Sequence, residues 1–110
     1  AHVDEGYELL CHAELNEIEG SGWELCKFWI EEKEGNKKLG ILISAKNIAA
    51  DVWELKLEGS NGKKVSLIDY RGFKSNKMNL RKNLILEPGE YKFMMNGQEI
   101  KGDLYIYLGR

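Results

Sequence analysis

The stretch Asn83-Leu-Ile-Leu-Glu-Pro-Gly-Glu-Tyr-Lys-Phe-Met-Met-Asn-Gly97, followed by Asp103-Leu-Tyr-Ile-Tyr-Leu108, reads as strand, turn, strand, turn, strand. Pro88 is the only proline of the chain and falls between two β-rich runs. Proline pre-sets the second position of a turn, and Gly89 accepts the positive φ that the third position of a type II turn requires. Asn96-Gly97 is a second turn signal. In the last run Leu104, Ile106 and Leu108 share one face and Tyr105 and Tyr107 the other, because strand side chains alternate.

The same rhythm extends upstream. Eight β-like runs occupy roughly residues 7–15, 23–32, 38–46, 52–58, 63–70, 78–86, 90–96 and 103–108. Between them lie Glu19-Gly-Ser-Gly22, Glu34-Gly-Asn36 and Gly59-Ser-Asn-Gly62. No segment of ten or more residues has helical periodicity, and residues 47–51 are read as one short helical turn. Many short strands with Gly/Asn turns predict a single all-β domain over residues 1–110. The expected fold is an antiparallel β-sandwich of seven or eight strands, jelly-roll or immunoglobulin-like, with a small closed β-barrel as the alternative.

Alternation assigns the inner faces. Trp53, Leu55 and Leu57 form one, opposite Glu54, Lys56 and Glu58; Leu39, Ile41, Ile43 and Ala45 form another. In the first run Tyr7, Leu9, Cys11, Ala13 and Leu15 are expected inside, with Glu8, His12 and Glu14 outside. The second run is apolar on both sides: Cys26, Phe28 and Ile30 against Trp23, Leu25 and Trp29, the latter interrupted by Lys27. Such a strand is either covered by another segment or carries an exposed aromatic platform.

Cys11 and Cys26 are the only cysteines. A hairpin turning at residues 16–22 would set them nearly opposite each other, within bridging range. A reduced buried pair fits the same register. The disulfide is the expectation, and it implies an extracellular or periplasmic location.

Net charge is −2, too small to name a partner. Its distribution is uneven: residues 1–34 hold ten carboxylates against two lysines, and residues 35–110 fourteen basic against eight acidic groups. Internal pairing across strands is the simplest use of that asymmetry. No apolar run approaches the ~20 residues a membrane helix needs. The chain opens on Ala1 and is compatible with a piece of a larger secreted protein.

Chemistry-bearing motifs are sparse. There is no GxSxG, Cys–His signature, HExxH, EF-hand loop, P-loop or GxGxxG. His2 lies near the terminus, and His12 sits on an outer face, opposite in direction to its neighbour Cys11. No catalytic residue, cofactor or metal is therefore expected. A weak copper chelate of the Ala1 amine and His2, or a calcium loop using Asp51 or Asp103, stays open. Carboxylates are abundant but fall outward, whereas a catalytic pair needs a cleft.

The sharpest local feature is Tyr70-Arg-Gly-Phe-Lys-Ser-Asn-Lys-Met-Asn-Leu-Arg-Lys82. Arg71, Lys74, Lys77, Arg81 and Lys82 are interleaved with Tyr70 and Phe73, and no acid interrupts them. Such a segment suits a protein or polysaccharide partner, with nucleic acid less favoured. It also suits an edge strand kept soluble by lysines. Trp23 and Trp29 form the second candidate binding surface.

Two fragments carry a family resemblance. Pro88, Gly89 and Tyr91, then Asp103, Leu104 and Tyr105, resemble the Gly-x-Tyr turn and Asp-Leu-Tyr strand of bacterial pre-peptidase C-terminal domains, here in reversed order. The resemblance covers about the last quarter of the chain. It implies a secreted accessory β-sandwich and transfers no site. The functional expectation is a non-catalytic secreted or surface domain that binds a protein or polysaccharide. The alternatives are a protease inhibitor acting through the Arg71–Lys77 loop and an OB-like nucleic-acid binder.

Overall fold

The computed structural model describes residues 6–50, 52–71 and 77–109, with the side chains of residues 17–21 and 77 excepted. The described residues form six strands: β1 (Tyr7–Ile30), β2 (Lys37–Ala49), β3 (Val52–Gly59), β4 (Lys64–Arg71), β5 (Lys77–Leu86) and β6 (Gly89–Gly109). All pairings are antiparallel. The eight sequence runs are present, but the first two are halves of β1 and the last two halves of β6.

β1 and β6 pair along their whole length, from Tyr7 opposite Gly109 to Ile30 opposite Gly89. This ribbon bends near its middle and belongs to two half-sheets. In the first, the 7–15 half of β1 pairs the 102–109 half of β6, which pairs β2, which pairs β5. In the second, the 23–30 half of β1 pairs the 89–97 half of β6, which pairs β3, which pairs β4. The halves face each other as an antiparallel sandwich over one apolar cluster. Ile41, Ile43, Leu104 and Ile106 from the first half and Trp53, Leu55, Tyr91 and Phe93 from the second are among its best-buried members.

Irregular backbone makes the bend. β1 shifts register repeatedly between Leu15 and Trp23, and β2 shifts between Lys46 and Ala49. Asn47 and Glu99 take left-handed φ angles of 56° and 48°. Gly102 has φ 128°, and a Cβ there would stand 2.7 Å from the Asn47 carbonyl oxygen. The glycine-bearing signals at residues 19–22 and 96–97 are thus corner residues, not hairpin turns. Bulges do this work: each extra residue bends and twists its strand. The helical turn expected at residues 47–51 is absent through Ala49, because Asn47 supplies a bulge within β2. The short 3-10 turn lies at Glu32–Glu34 instead.

Pro88-Gly89 also serves differently from expectation. β5 and β6 are not partners; the turn carries the chain from the first half-sheet to the second. Gly89 keeps a positive φ, 146°. Tyr91 anchors this crossing, its hydroxyl donating to the Glu87 carbonyl and accepting from Asn61 Nδ2 at 3.0 Å. The Gly59–Gly62 segment is a true hairpin turn, with Gly62 N–H donating to the Gly59 carbonyl at 3.0 Å.

Cys11 and Cys26 form a disulfide with Cα atoms 6.4 Å apart. They are not hairpin partners: Cys11 lies opposite Ile106 and Cys26 opposite Phe93. The bend brings the two halves of β1 together, and the disulfide joins the half-sheets along that edge.

Two outcomes follow for stability. Cys11→Ser with Cys26→Ser opens a link across 15 residues and should cost about 3 kcal/mol in a urea titration. Gly102→Ala should cost more than about 1 kcal/mol in the same assay, since both its φ and the Asn47 contact oppose a side chain.

Candidate functional site

The outer faces of the two half-sheets differ in chemistry. That of the second half is a lattice of opposite charges. Lys92 Nζ lies 3.4 Å from Glu24 and 3.8 Å from Glu90; Lys56 is 3.4 Å from Glu54, Lys64 3.8 Å from Glu58, and Arg71 3.1 Å from Asp69. Exposed pairs of this kind solubilise a sheet and contribute little stability.

The outer face of the first half mixes rings, amides and two apolar side chains with charged groups concentrated in its last row. Register places them in four rows across β1, β6, β2 and β5. Tyr7, Gly109, Gly40 and Asn83 make the first row. Leu9, Tyr107, Leu42 and Arg81 make the second. His12, Tyr105, Ser44 and Asn79 make the third, and Glu14, Asp103, Lys46 and Lys77 the fourth. The face is three strand spacings wide, about 15 Å.

A bulge creates the first two rows. The register of β1 slips between Leu9 and Cys11, so residues before Leu10 change sides. Leu9, expected inside, is outward and 53% exposed. Tyr7, also expected inside, lies across the outer surface. Gly40 and Gly109 make room for it: a Cβ at Gly40 would be 2.7 Å from the Tyr7 hydroxyl, and one at Gly109 would be 3.4 Å from its ring. The Arg81 guanidinium lies 5.8 Å from the centre of the same ring.

The third row is a stack. The rings of His12 and Tyr105 are 4.1 Å apart and within 7° of parallel. Lys46 Nζ lies 5.0 Å from the Tyr105 ring centre. His12 Nε2 is 2.8 Å from Asp103 Oδ1. Glu14 Oε joins them, each of the three offering a ligand atom within 4.8 Å of the others.

The residues singled out by sequence are scattered. Tyr70 faces the core beside Trp53, ring centres 6.1 Å apart. Arg71 ends β4 and pairs with Asp69. Phe73 and Lys74 lie outside the described residues, as do Ala1, His2 and Asp51. Lys77 starts β5 opposite Lys46. Arg81 joins the ring-bearing face, while Lys82, one residue on, lies opposite the core residue Ile41. The basic segment is thus divided between edge strands of both half-sheets.

Trp23 and Trp29 are uncovered, at 45% and 59% exposure. They do not form one platform, because a bulge between Glu24 and Cys26 reverses the alternation. Trp23 lies opposite the buried Met95, and Trp29 opposite the outward Glu90, with Lys27 Nζ 5.3 Å from its ring. Sequence reasoning read His12 and Glu14 as outward and set Tyr105 and Tyr107 on the face opposite Leu104, Ile106 and Leu108. It missed Tyr7, Leu9 and Leu42 as their companions; the paired glycines Gly40 and Gly109 were the available signal.

No protein-family model matches the chain, and no curated protein matches it. Solved structures do. One, from infectious bursal disease virus strain Gx, is similar over 92% of this chain with a TM-score of 0.53 and 8% identity. Another, the exo-β-1,3-galactanase of Phanerochaete chrysosporium with galactose, is similar over 88% with a TM-score of 0.43 and 11% identity. This chain spans about a third of either, 31% and 29%. The viral likeness supports the β-sandwich fold and nothing about activity.

The three tryptophans should separate in a quenching experiment. Trp53 is 1% exposed and should resist acrylamide, so the Trp23→Phe, Trp29→Phe variant should emit further to the blue and quench less than the parent.

Proposed function

We propose that this is a non-catalytic binding domain of an extracellular or periplasmic protein, and that it holds a polysaccharide on the outer face of its first half-sheet. The observation that carries this reading is Tyr7 laid over Gly40 and Gly109 beside Tyr107. A ring resting on glycines exposes a flat apolar surface that a sugar ring covers well. Around it, Asn79, Asn83, Ser44 and Arg81 offer donors and acceptors for hydroxyl groups. Leu9 and Leu42 are separated by Tyr107, so the face lacks the continuous aliphatic centre of a strong protein interface.

The disulfide supports an oxidising compartment. No helix among the described residues is long and apolar enough to cross a membrane. A cavity of about 280 Å³ at one end of the sandwich is lined by Asn36, Asn61, Lys63, Ile85, Glu87 and Tyr91. Glu87 is its sole carboxylate, and glycoside hydrolysis uses two. The resemblance to secreted accessory sandwiches points the same way.

Affinity electrophoresis against a panel of neutral and acidic polysaccharides tests the proposal. Tyr7→Ala and Tyr107→Ala should each weaken retardation roughly tenfold, about 1.4 kcal/mol. Gly40→Val should do the same by displacing Tyr7 while leaving the circular dichroism unchanged. Lys56→Ala, on the opposite face, should bind as the parent does. Retardation by none of the panel, or equal retardation of the Tyr7 and Lys56 variants, defeats this reading.

A further inference from the structure

His12, Glu14 and Asp103 attract a separate conclusion, independent of the polysaccharide. We propose that they form a surface site for a divalent first-row transition ion, zinc foremost. His12 and Glu14 are two residues apart on β1 and so project from one face. Asp103 on β6 stands directly opposite Glu14. Their ligand atoms already lie within 4.8 Å of one another. Donors of a tetrahedral zinc site are roughly 3.3 Å apart, so small side-chain rotations close the set.

Three further observations favour a cation there. Like charges directly opposite on neighbouring strands repel, yet Glu14 and Asp103 occupy such a pair. Lys46, the neighbour of Asp103 on its other side, places its ammonium over the Tyr105 ring and not in an ion pair. Glu14 has no hydrogen-bond or ion-pair partner among the described residues, so one carboxylate of the pair is left uncompensated.

The His12 ring is held ready. Stacking on Tyr105 fixes its plane, and its Nε2 already faces Asp103. An ion would replace the hydrogen bond between them, with Nε2 as donor to the metal and the proton on Nδ1. An imidazole with two carboxylates suits zinc or its neighbours better than calcium, which takes six to eight oxygens. The three protein ligands leave at least one position for water or an exogenous oxygen.

Isothermal titration of the full chain with zinc chloride decides the matter. One equivalent should bind, with a rise in melting temperature, and calcium chloride should give no saturable heat. His12→Ala and Glu14→Gln should each lower zinc affinity roughly tenfold or more, with unchanged circular dichroism. His2→Ala should bind as the parent does. Binding should weaken on acidification, because the ligands must be deprotonated. Absence of saturable zinc binding overturns the site. So does binding that survives both His12→Ala and Glu14→Gln, or that is lost in His2→Ala, which would place the ion at the amino terminus.

Discussion

The structure depends on one constraint: β1 and β6 must pair from end to end and bend together. β6 is an inner strand of both half-sheets, so neither half can complete its hydrogen bonding without it. The outermost pair of this ribbon, Tyr7 and Gly109, lies almost the full chain length apart. Closing so long a loop costs entropy before any apolar contact repays it. The core of Ile41, Leu104, Leu55 and Phe93 exists only once both ends of the chain have arrived. The Cys11–Cys26 disulfide acts on the same constraint, since it holds the two arms of β1 at the angle that the bend requires.

The bend also decides what the surface is. One ribbon contributes the outermost strand and its neighbour to both half-sheets, yet the two outer faces have different chemistry. Where the ribbon joins β3 and β4, lysines and glutamates alternate across strands and neutralise one another. Where it joins β2 and β5, tyrosines, amides and aliphatic side chains share the equivalent positions with charged groups gathered mainly in one row. Half-buried tyrosine rings on an outer face add little core packing, so the second arrangement calls for a use that the first does not. Burial of that face against the core of the domain is excluded, because the opposite side of the same strands already fills it.

Much of this was legible in the sequence, and the rest was hidden for a specific reason. Strand runs could be read because alternation is local: Trp53, Leu55 and Leu57 fall on the core side as their spacing demands. The disulfide could be read because two cysteines have one pairing, although the register that suggested it was that of a hairpin. The corner could not be read. Glu19–Gly22 and Asn96-Gly97 look like hairpin turns, and only the long-range pairing of β1 with β6 makes them two sides of one bend. The bulges at Leu10 and Leu25 were equally invisible. Each reverses the parity of its strand, which sent Leu9 outward and separated Trp23 from Trp29. Bulges are set by the partner strand, and the partner is distant in sequence.

The basic segment shows the same logic from the other side. Between Tyr70 and Lys82 the sequence concentrates positive charge, but a run of residues is not a patch of surface. The segment leaves one half-sheet with Arg71 and enters the other with Lys77, and alternation then turns Arg81 outward and Lys82 toward the core side of an edge strand. A lysine pointing inward on an edge strand discourages pairing with another chain, so Lys82 is explained by the edge it occupies. Arg81 is explained by its row, which it shares with Leu9, Tyr107 and Leu42. In a sheet protein of this kind the chemical unit is the cross-strand row. Residues 9, 42, 81 and 107 become neighbours there, and no linear motif could have announced them.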